Sequence, residues 1–296
     1  MLGLRSIQDT ALVKAHGPRD WDAATYDRIA APQTRWGAGV LDRLPLDGHE
    51  RVMDAGCGSG RVTELLAERL PNGRVVALDG SPAMVDQARA RLARFGDRIE
   101  FVVADLGQPI PLAEPVDAVL STATFHWVPD HDALFRNLAA VIRPGGRLVA
   151  QCGGAGNIAS IRAVLATIGD GWLGESHFET PEATTARLEA AGFVDLECWL
   201  SDEPTEFEAG EPFETFLRTV VLGSHVARLP ESERGAFVHS VAERLPAPRI
   251  DYVRLNIVAR RGAEGPYRPV RNGSPWPGMT MSTASSTRLR WVSRIA

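Results

Sequence analysis

Between Arg51 and Ala150, short apolar runs alternate with longer segments in which apolar residues recur every three or four positions. The apolar runs predict β-strands, and the amphipathic segments between them predict helices. Strands and helices that alternate in this way are typical of an α/β fold built on a parallel sheet. The predicted strands are Arg51–Asp54, Arg74–Asp79, Ile99–Ala104, Val116–Ser121 and Arg147–Cys152, and the predicted helices are Arg61–Leu70, Pro82–Phe95 and His131–Ile142.

The pattern is less regular in the second half of the chain. It predicts a helix over Thr180–Ala191 and two more strands, Phe193–Leu200 and Tyr252–Arg260. Between these strands, Thr205–Leu245 has a helical pattern with four phenylalanines, which either pack on the domain or form a cap over a substrate. The whole pattern predicts a Rossmann-like, mostly parallel sheet of seven strands, with helices on both faces and a helical insertion before the last strand.

A chain of 296 residues suits one α/β domain with additions better than two full domains. We expect that domain to occupy residues 20–262, after an N-terminal extension of residues 1–19. Residues 263–296 are rich in Gly, Pro, Ser, Thr and Arg. This composition buries too little apolar surface to order itself, so a disordered tail is predicted.

The net charge of -5 provides no overall basic field for nucleic-acid phosphates, so no nucleic-acid partner is expected. The sequence contains no run of eighteen apolar residues and no signal-peptide pattern, which predicts a cytoplasmic protein without a membrane partner. The three cysteines, Cys57, Cys152 and Cys198, lie far apart and lack metal-ligand spacing. Reduced thiols and no metal site are therefore expected. The oligomeric state is left open.

A glycine-rich turn, Gly56-Cys57-Gly58-Ser59-Gly60, follows the first predicted strand and leads directly into a helix. Glycines let the backbone pass close beneath a ligand, and a helix N-terminus offers unpaired N–H groups, so a nucleotide-like ligand suits this turn. A dinucleotide-binding turn would place its third glycine at the position of Arg61. The spacing therefore disfavours NAD.

Two aspartates stand at the ends of the next two predicted strands. Asp79 lies nineteen residues beyond Gly60, where its carboxylate can accept hydrogen bonds from a ribose diol. Asp105 follows the third strand, at the sheet edge where ligands of open α/β folds bind, and can accept from an adenine amino group. For both residues, an aspartate that only forms a turn is the alternative.

The chain resembles the class I S-adenosylmethionine-dependent methyltransferases in the glycine turn preceded by Asp54, the acidic Asp79, the segment Ser81-Pro82-Ala83-Met84, and the turn Arg143-Pro144-Gly145-Gly146. Within that family it is similar to the trans-aconitate methyltransferase group. The residues that carry this similarity are Trp21–Tyr26, Phe125–His131 and Ile257–Arg261. The resemblance implies the class I methyltransferase fold and S-adenosyl-L-methionine as the cofactor.

The resemblance also implies a role for each matching residue. Asp54 and the backbone of Gly56 and Gly58 would hold the methionine part of the cofactor, and Asp79 would hold the ribose. Met84 would cover one face of the adenine. The other implied cofactor contacts are Gly60, Gly80, Asp105 and Leu106 at the base, Ser121, and Arg35, which either reaches the cofactor carboxylate or lies on the surface.

The resemblance also implies that four residues bind the substrate. Trp21 and Tyr26 would fold over the site as a lid, or pack on the helix that follows. His126 and Trp127 would lie at the ligand edge of the sheet, after the fourth strand. His126 is also the candidate catalytic base, with a packing role as the alternative.

The implied activity is methyl transfer to a small organic molecule, with O-methylation of a carboxylate or a hydroxyl favoured. A carboxylate is already ionised at neutral pH and needs no base, whereas a hydroxyl acceptor would use His126 to remove its proton. Two alternatives remain at this point: methylation of carbon in a small metabolite, and a regulatory relative that binds the cofactor without catalysis.

Overall fold

The computed structural model describes residues 31–168 and 170–263, and within residues 31–35 only the backbone. The strands are β1 (Arg51–Ala55), β2 (Arg74–Asp79), β3 (Ile99–Val103), β4 (Val116–Thr122), β5 (Ile142–Gly153), β6 (Phe193–Asp202), β7 (Thr205–Glu206), β8 (Arg249–Ile250) and β9 (Val253–Arg261). The α-helices are α1 (Ala31–Leu41), α2 (Arg61–Arg69), α3 (Pro82–Leu92), α4 (His131–Val141), α5 (Ala159–Leu165), α6 (Pro181–Ala190), α7 (Glu211–Phe216), α8 (Gly223–Ala227) and α9 (Glu231–Arg244).

Seven of the strands form one sheet in the order β3-β2-β1-β4-β5-β9-β6. Strands β1 to β5 are parallel to one another, and β9 runs antiparallel to both β5 and β6. The predicted mostly parallel sheet of seven strands is therefore confirmed. Because β9 is reversed, its first residues lie at the same edge of the sheet as the last residues of the parallel strands.

The central strands of the sheet are buried on both faces. Met53 of β1 and Val76 of β2 belong to a core that contains side chains of α4 and α6. Val52 and Val75, the residues beside them in the sequence, point the other way into a core formed with α1, α2 and α3. Successive side chains of a strand face opposite sides, which is why these central strands are continuous apolar runs.

The insertion before β9 is helical, as predicted. Helices α7 and α9 contribute Phe213, Phe216 and Val241 to a third core that also contains Trp36 of α1. Between α7 and α8, residues 217–221 form one π-helical turn. We call the unit from α7 to α9 the cap. The first two residues of the predicted insertion instead form β7, which pairs with β8, and helix α5 was not predicted.

Strand β5 begins at Ile142, five residues earlier than predicted. The pairing with β4 passes from Val116–Ile142 directly to Ala118–Arg147, so the intervening Arg-Pro-Gly-Gly segment bulges out of the ladder. The glycine at 146 is required because a Cβ there would lie 2.7 Å from the Asp117 carbonyl oxygen. A sequence pattern that treats Pro-Gly as a strand boundary therefore misses the short pairing before it.

Within residues 31–168 and 170–263, no helix is long and apolar enough to cross a membrane. The predicted extension of residues 1–19, and the predicted tail beyond residue 263, lie outside the described residues. The assignment of the domain to residues 20–262 stays a prediction.

Candidate active site

A cavity of about 670 Å³ lies at the edge of the sheet where the parallel strands end. Its walls come from the glycine turn, the ends of β2 to β4, the start of β9, and the cap. Nine of the residues expected at the site line this cavity together: Gly56, Gly58, Asp79, Gly80, Met84, Asp105, Leu106, His126 and Trp127. Parallel strands present their carboxyl ends at one edge, so residues far apart in sequence meet there.

The three glycines of the turn have different surroundings, although all have positive φ. At Gly58 a Cβ would lie more than 4 Å from every described residue except its two chain neighbours, so this position is open to the cavity. A Cβ at Gly56 would overlap the Thr124 side chain. Gly60 does not line the cavity; a Cβ there would lie 3.2 Å from Ala88 of α3. Gly58 is thus the position that leaves room for a ligand, and Gly60 permits close packing of α2 on α3.

Asp79 braces the glycine turn. Its Oδ2 accepts a hydrogen bond from the Gly58 N–H and its Oδ1 accepts one from the Ser81 N–H, both at 2.9 Å. Burial raises the pKa of the Asp79 carboxyl, and these backbone donors oppose the rise. Each carboxylate oxygen can accept a second hydrogen bond, so the residue can still bind a diol.

Asp54 lies beneath the turn and does not line the cavity. Its Oδ2 accepts from the Thr63 hydroxyl at 2.7 Å, while Oδ1 has no hydrogen-bond partner among the described residues. Burial raises the pKa of this carboxyl to about 7. Ser121 is also buried outside the cavity, and its hydroxyl donates to the Ala55 carbonyl at 2.6 Å. The structure therefore places both residues under the site, where they support the ends of β1 and β4.

The nucleoside end of the cavity lies at β2 and β3. Ser81 caps α3 by accepting the Met84 N–H at 3.3 Å, which sets the buried Met84 side chain in the wall. Asp105 Oδ1 accepts the Gly107 N–H at 2.8 Å and lies beside Leu106. An open glycine, a strand-end carboxylate and an apolar slot are what a ribose and an adenine require, so the residues present fit the nucleoside of S-adenosylmethionine.

His126 lies between the nucleoside end and β9. Only 7% of it is exposed, and its Nδ1 faces the Gly153 N–H at 3.3 Å. A backbone N–H can only donate, so Nδ1 is the acceptor and the hydrogen of the neutral ring is on Nε2. Burial, and secondly the positive charge of Arg254, hold the pKa of His126 well below its usual value. The ring nitrogen that is left for a ligand therefore carries a hydrogen, so it can donate a hydrogen bond and is not in position to accept a proton.

Arg254 is a cavity residue that the sequence pattern did not indicate. It is 3% exposed, at the start of β9, and its guanidinium carbon lies 4.8 Å from the centroid of the Trp36 ring. In the predicted strand, alternation placed the apolar residues on the core face and Arg254 on the opposite face. Helix α1 covers that opposite face, and no local signal in the sequence reveals this.

For three expected site residues the structure describes no side chain. Trp21 and Tyr26 precede the described residues. The backbone of Arg35 lies in α1, one residue before Trp36, and its side chain is not described. Their roles as lid residues and as the partner of the cofactor carboxylate stay predictions.

A glycine turn after β1, with acidic residues at the ends of β2 and β3, defines a nucleoside-cofactor-binding α/β protein. Residues 52–146 match a methyltransferase-domain family. Over 262 residues the chain is 30% identical to the trans-aconitate 2-methyltransferase of Paracidovorax citrulli, a match covering 82% of this chain and 99% of that protein. The chain belongs to the class I S-adenosylmethionine-dependent methyltransferases, in the trans-aconitate methyltransferase group.

Other relatives match over less of their length. The trans-aconitate 2-methyltransferase of Methylobacterium radiotolerans is 40% identical over 132 residues, which is 45% of this chain and 49% of that protein. The match thus spans about half the length of that relative. Phosphoethanolamine N-methyltransferase 2 of Haemonchus contortus, solved with S-adenosylhomocysteine, shares the fold with a TM-score of 0.56 at 17% identity, over 82% of this chain and 57% of that one.

Proposed function

We propose that this protein transfers the methyl group of S-adenosylmethionine to a carboxylate of a small organic acid. The observation that carries the choice of acceptor is the hydrogen bond from the Gly153 N–H to His126 Nδ1. Its Nδ1 is occupied by the Gly153 N–H, so Nε2 presents a hydrogen to the cavity and cannot take a proton from a hydroxyl. A carboxylate is ionised at neutral pH and needs no base.

The rest of the cavity wall also suits an acid. Arg254 places a buried positive charge in it, and opposite charges attract more strongly where water is excluded. The His126 ring packs against two aromatic rings: the centroid of Trp127 is 4.8 Å away and that of Phe178 is 5.9 Å away. Its N–H therefore lies in apolar surroundings. These groups would bind, orient and desolvate a carboxylate.

When bound, S-adenosylmethionine supplies an electrophilic methyl group on a sulfonium. The protein's part is then to hold the acceptor in line with that group and to keep water out. Asp79 and the open backbone at Gly58 would hold the cofactor, and Met84, Asp105 and Leu106 would surround its base. Because the relatives are trans-aconitate 2-methyltransferases, trans-aconitate is the first acceptor to test.

The test is an incubation of the full chain with S-adenosylmethionine and trans-aconitate, followed by mass spectrometry of the products. We expect a monomethyl product together with S-adenosylhomocysteine. Mild alkali should release methanol from this product, because an ester is cleaved under those conditions and an ether or a C-methyl group is not. An alkali-stable methylated product would exclude the carboxylate. Cofactor binding with no product from a panel of organic acids would instead favour the non-catalytic alternative.

A further inference from the structure

The side-chain amide of Asn157 lies in the cavity wall, and its orientation is fixed. The residue is 4% exposed and lines the cavity. Its Oδ1 accepts a hydrogen bond from the Val253 N–H at 2.9 Å. A backbone N–H can only donate, so the amide cannot turn over without setting two donors against each other. Nδ2, which carries two hydrogens, is therefore the end of the amide that is left for a ligand.

This Nδ2 is an accessible donor without an acceptor in the described ranges. No residue among 31–168 and 170–263 accepts a hydrogen bond from it. It is not one of the fully buried side-chain atoms that lack a partner, so it keeps some accessible surface. Since Asn157 lines the cavity, that surface is open to a bound molecule. A donor in a mostly buried position is stabilised when an oxygen atom accepts from it.

The Asn157 amide and the His126 ring are neighbours across Gly153. A Cβ at Gly153 would lie 2.8 Å from Asn157 Nδ2 and 2.7 Å from Cε1 of Phe178, so only a glycine allows this close approach. The Gly153 N–H donates to His126 Nδ1, and Phe178 also packs on the His126 ring. The hydrogens on Asn157 Nδ2 and on His126 Nε2 therefore belong to one stretch of the cavity wall.

A strained turn holds Asn157 in this position. Ile158, the next residue, has a φ of +52°, which is rare for a β-branched side chain. Asp251 enforces this turn: its carbonyl accepts the Ile158 N–H at 3.0 Å. Its carboxylate accepts the N–H and the hydroxyl of Ser160 at 2.9 and 2.6 Å. Strain of this kind persists only where the surrounding structure imposes it, and it is frequent at ligand sites.

We propose that Asn157 Nδ2 and His126 Nε2 donate hydrogen bonds to the reacting carboxylate of the acceptor and so hold it for methylation. The inference rests on the proposed function. Both groups can only donate toward the cavity, and a carboxylate offers only acceptors, whereas a hydroxyl or an amide brings a hydrogen of its own. Attack by a carboxylate lone pair forms the O–C bond while the electrons of the S–C bond go to sulfur, so no proton has to be removed. Asn157 is thus an acceptor-binding residue of the reaction.

The first test measures acid binding without turnover. The full-length protein is saturated with S-adenosylhomocysteine and titrated with trans-aconitate by calorimetry. Asn157→Asp keeps an oxygen for the Val253 N–H but replaces the donor with a carboxylate oxygen, and Kd for the acid should rise by about tenfold or more. Asn157→Leu removes the donor without adding a charge, and Kd should rise by about fivefold.

Two controls accompany these variants. Asn72→Asp makes the same change of charge at an exposed position outside the cavity, so Kd for the acid should stay within about twofold of wild type. The affinity for S-adenosylhomocysteine should not change in any of the variants, because Asn157 is assigned to the acceptor and not to the cofactor. This affinity also shows that each variant has folded.

A second measurement reports on the donor itself in the wild-type protein. In ¹⁵N-labelled protein saturated with S-adenosylhomocysteine, the two side-chain amide protons of Asn157 are identified as the signals missing from Asn157→Asp. They should move downfield when trans-aconitate is added, because a hydrogen bond to a carboxylate deshields the proton. The side-chain signals of Asn72 should stay in place.

The inference is overturned if the Asn157 signals do not move when the acid binds, or if either Asn157 variant binds trans-aconitate as wild type does. It is also overturned if wild type binds no acid, or if the variants lose S-adenosylhomocysteine instead. If acid binding depends on Asn157 while no methyl ester forms, the site stands and the proposed function fails. If the ester forms and Asn157→Asp has an unchanged KM for the acid, the proposed function stands and the site fails.

Discussion

Replacement of Asp79 by alanine should destabilise the apo protein as well as weaken cofactor binding. The carboxylate accepts the N–H groups of Gly58 and Ser81 at 2.9 Å, so the mutation leaves both donors without their acceptor. A hydrogen bond to a charged group contributes about 1.5 to 3 kcal/mol, and water can replace part of it, so we expect a loss of about 2 to 4 kcal/mol. For a domain of this size, that corresponds to a fall in Tm of roughly 5 to 12 °C.

Cofactor affinity should fall further, because the ribose hydroxyls lose their charged acceptor and the glycine turn loses its brace. We expect Kd for S-adenosylhomocysteine to rise by about tenfold or more. Scanning calorimetry of the apo protein and titration calorimetry with the ligand measure the two effects separately. Asp105→Ala is the comparison, since within the described ranges the Asp105 carboxylate accepts one short backbone hydrogen bond, from Gly107. Its Tm should fall less.

The combination of results decides what Asp79 does. A lowered Tm with unchanged affinity would show that the carboxylate only braces the turn, and would refute ribose binding. Wild-type values for both quantities would refute the turn-bracing role as well.

For His126→Gln, kcat with a carboxylate acceptor should fall by less than about tenfold and the pH profile near neutrality should keep its shape, because the ring is already neutral there. Loss of an inflection near pH 6 to 7 would mean that it acts as a base. Gly58→Ala should weaken S-adenosylhomocysteine binding, whereas Gly145→Ala, also at positive φ with open space around it, should lower only Tm; equal affinities would place the ligand elsewhere. Folding raises the pKa of Asp54 to about 7, so this group's contribution to stability decreases as the pH rises from about 4 to about 7. Asp54→Asn should gain Tm relative to wild type over that range, and a constant difference would contradict the shift.

The central sheet could be predicted because the sequence signals that specify its strands and turns are local. Strands β1, β2 and β4 are apolar runs buried on both faces, and the glycine turn and the Ser81-Pro82 helix start mark where the chain changes direction. The start of β5 could not be predicted in the same way. Its first residue, Ile142, pairs with Val116 across a bulge, and that pairing depends on a partner more than twenty residues away.

The cofactor side of the site could likewise be predicted in part from the sequence. The sequence alone determined that Gly58, Asp79 and Asp105 would meet, because each ends or follows a parallel strand, and the ends of such strands share one edge. It did not distinguish Gly60, which faces α3, from Gly58, which faces the cavity. The difference lies in how α3 packs against the turn, which strand spacing does not encode.

The acceptor side was decided by the tertiary structure. Trp36 and Arg254 are more than two hundred residues apart in the chain, and they touch only because α1 covers the face of β9 that alternation marks as outward. Likewise, the sequence placed His126 at the ligand edge, but the Gly153 N–H determines which ring nitrogen carries the hydrogen. Local pattern specifies strands and their ends, whereas the charge, protonation and pairing of buried groups depend on neighbours that only the packed fold supplies.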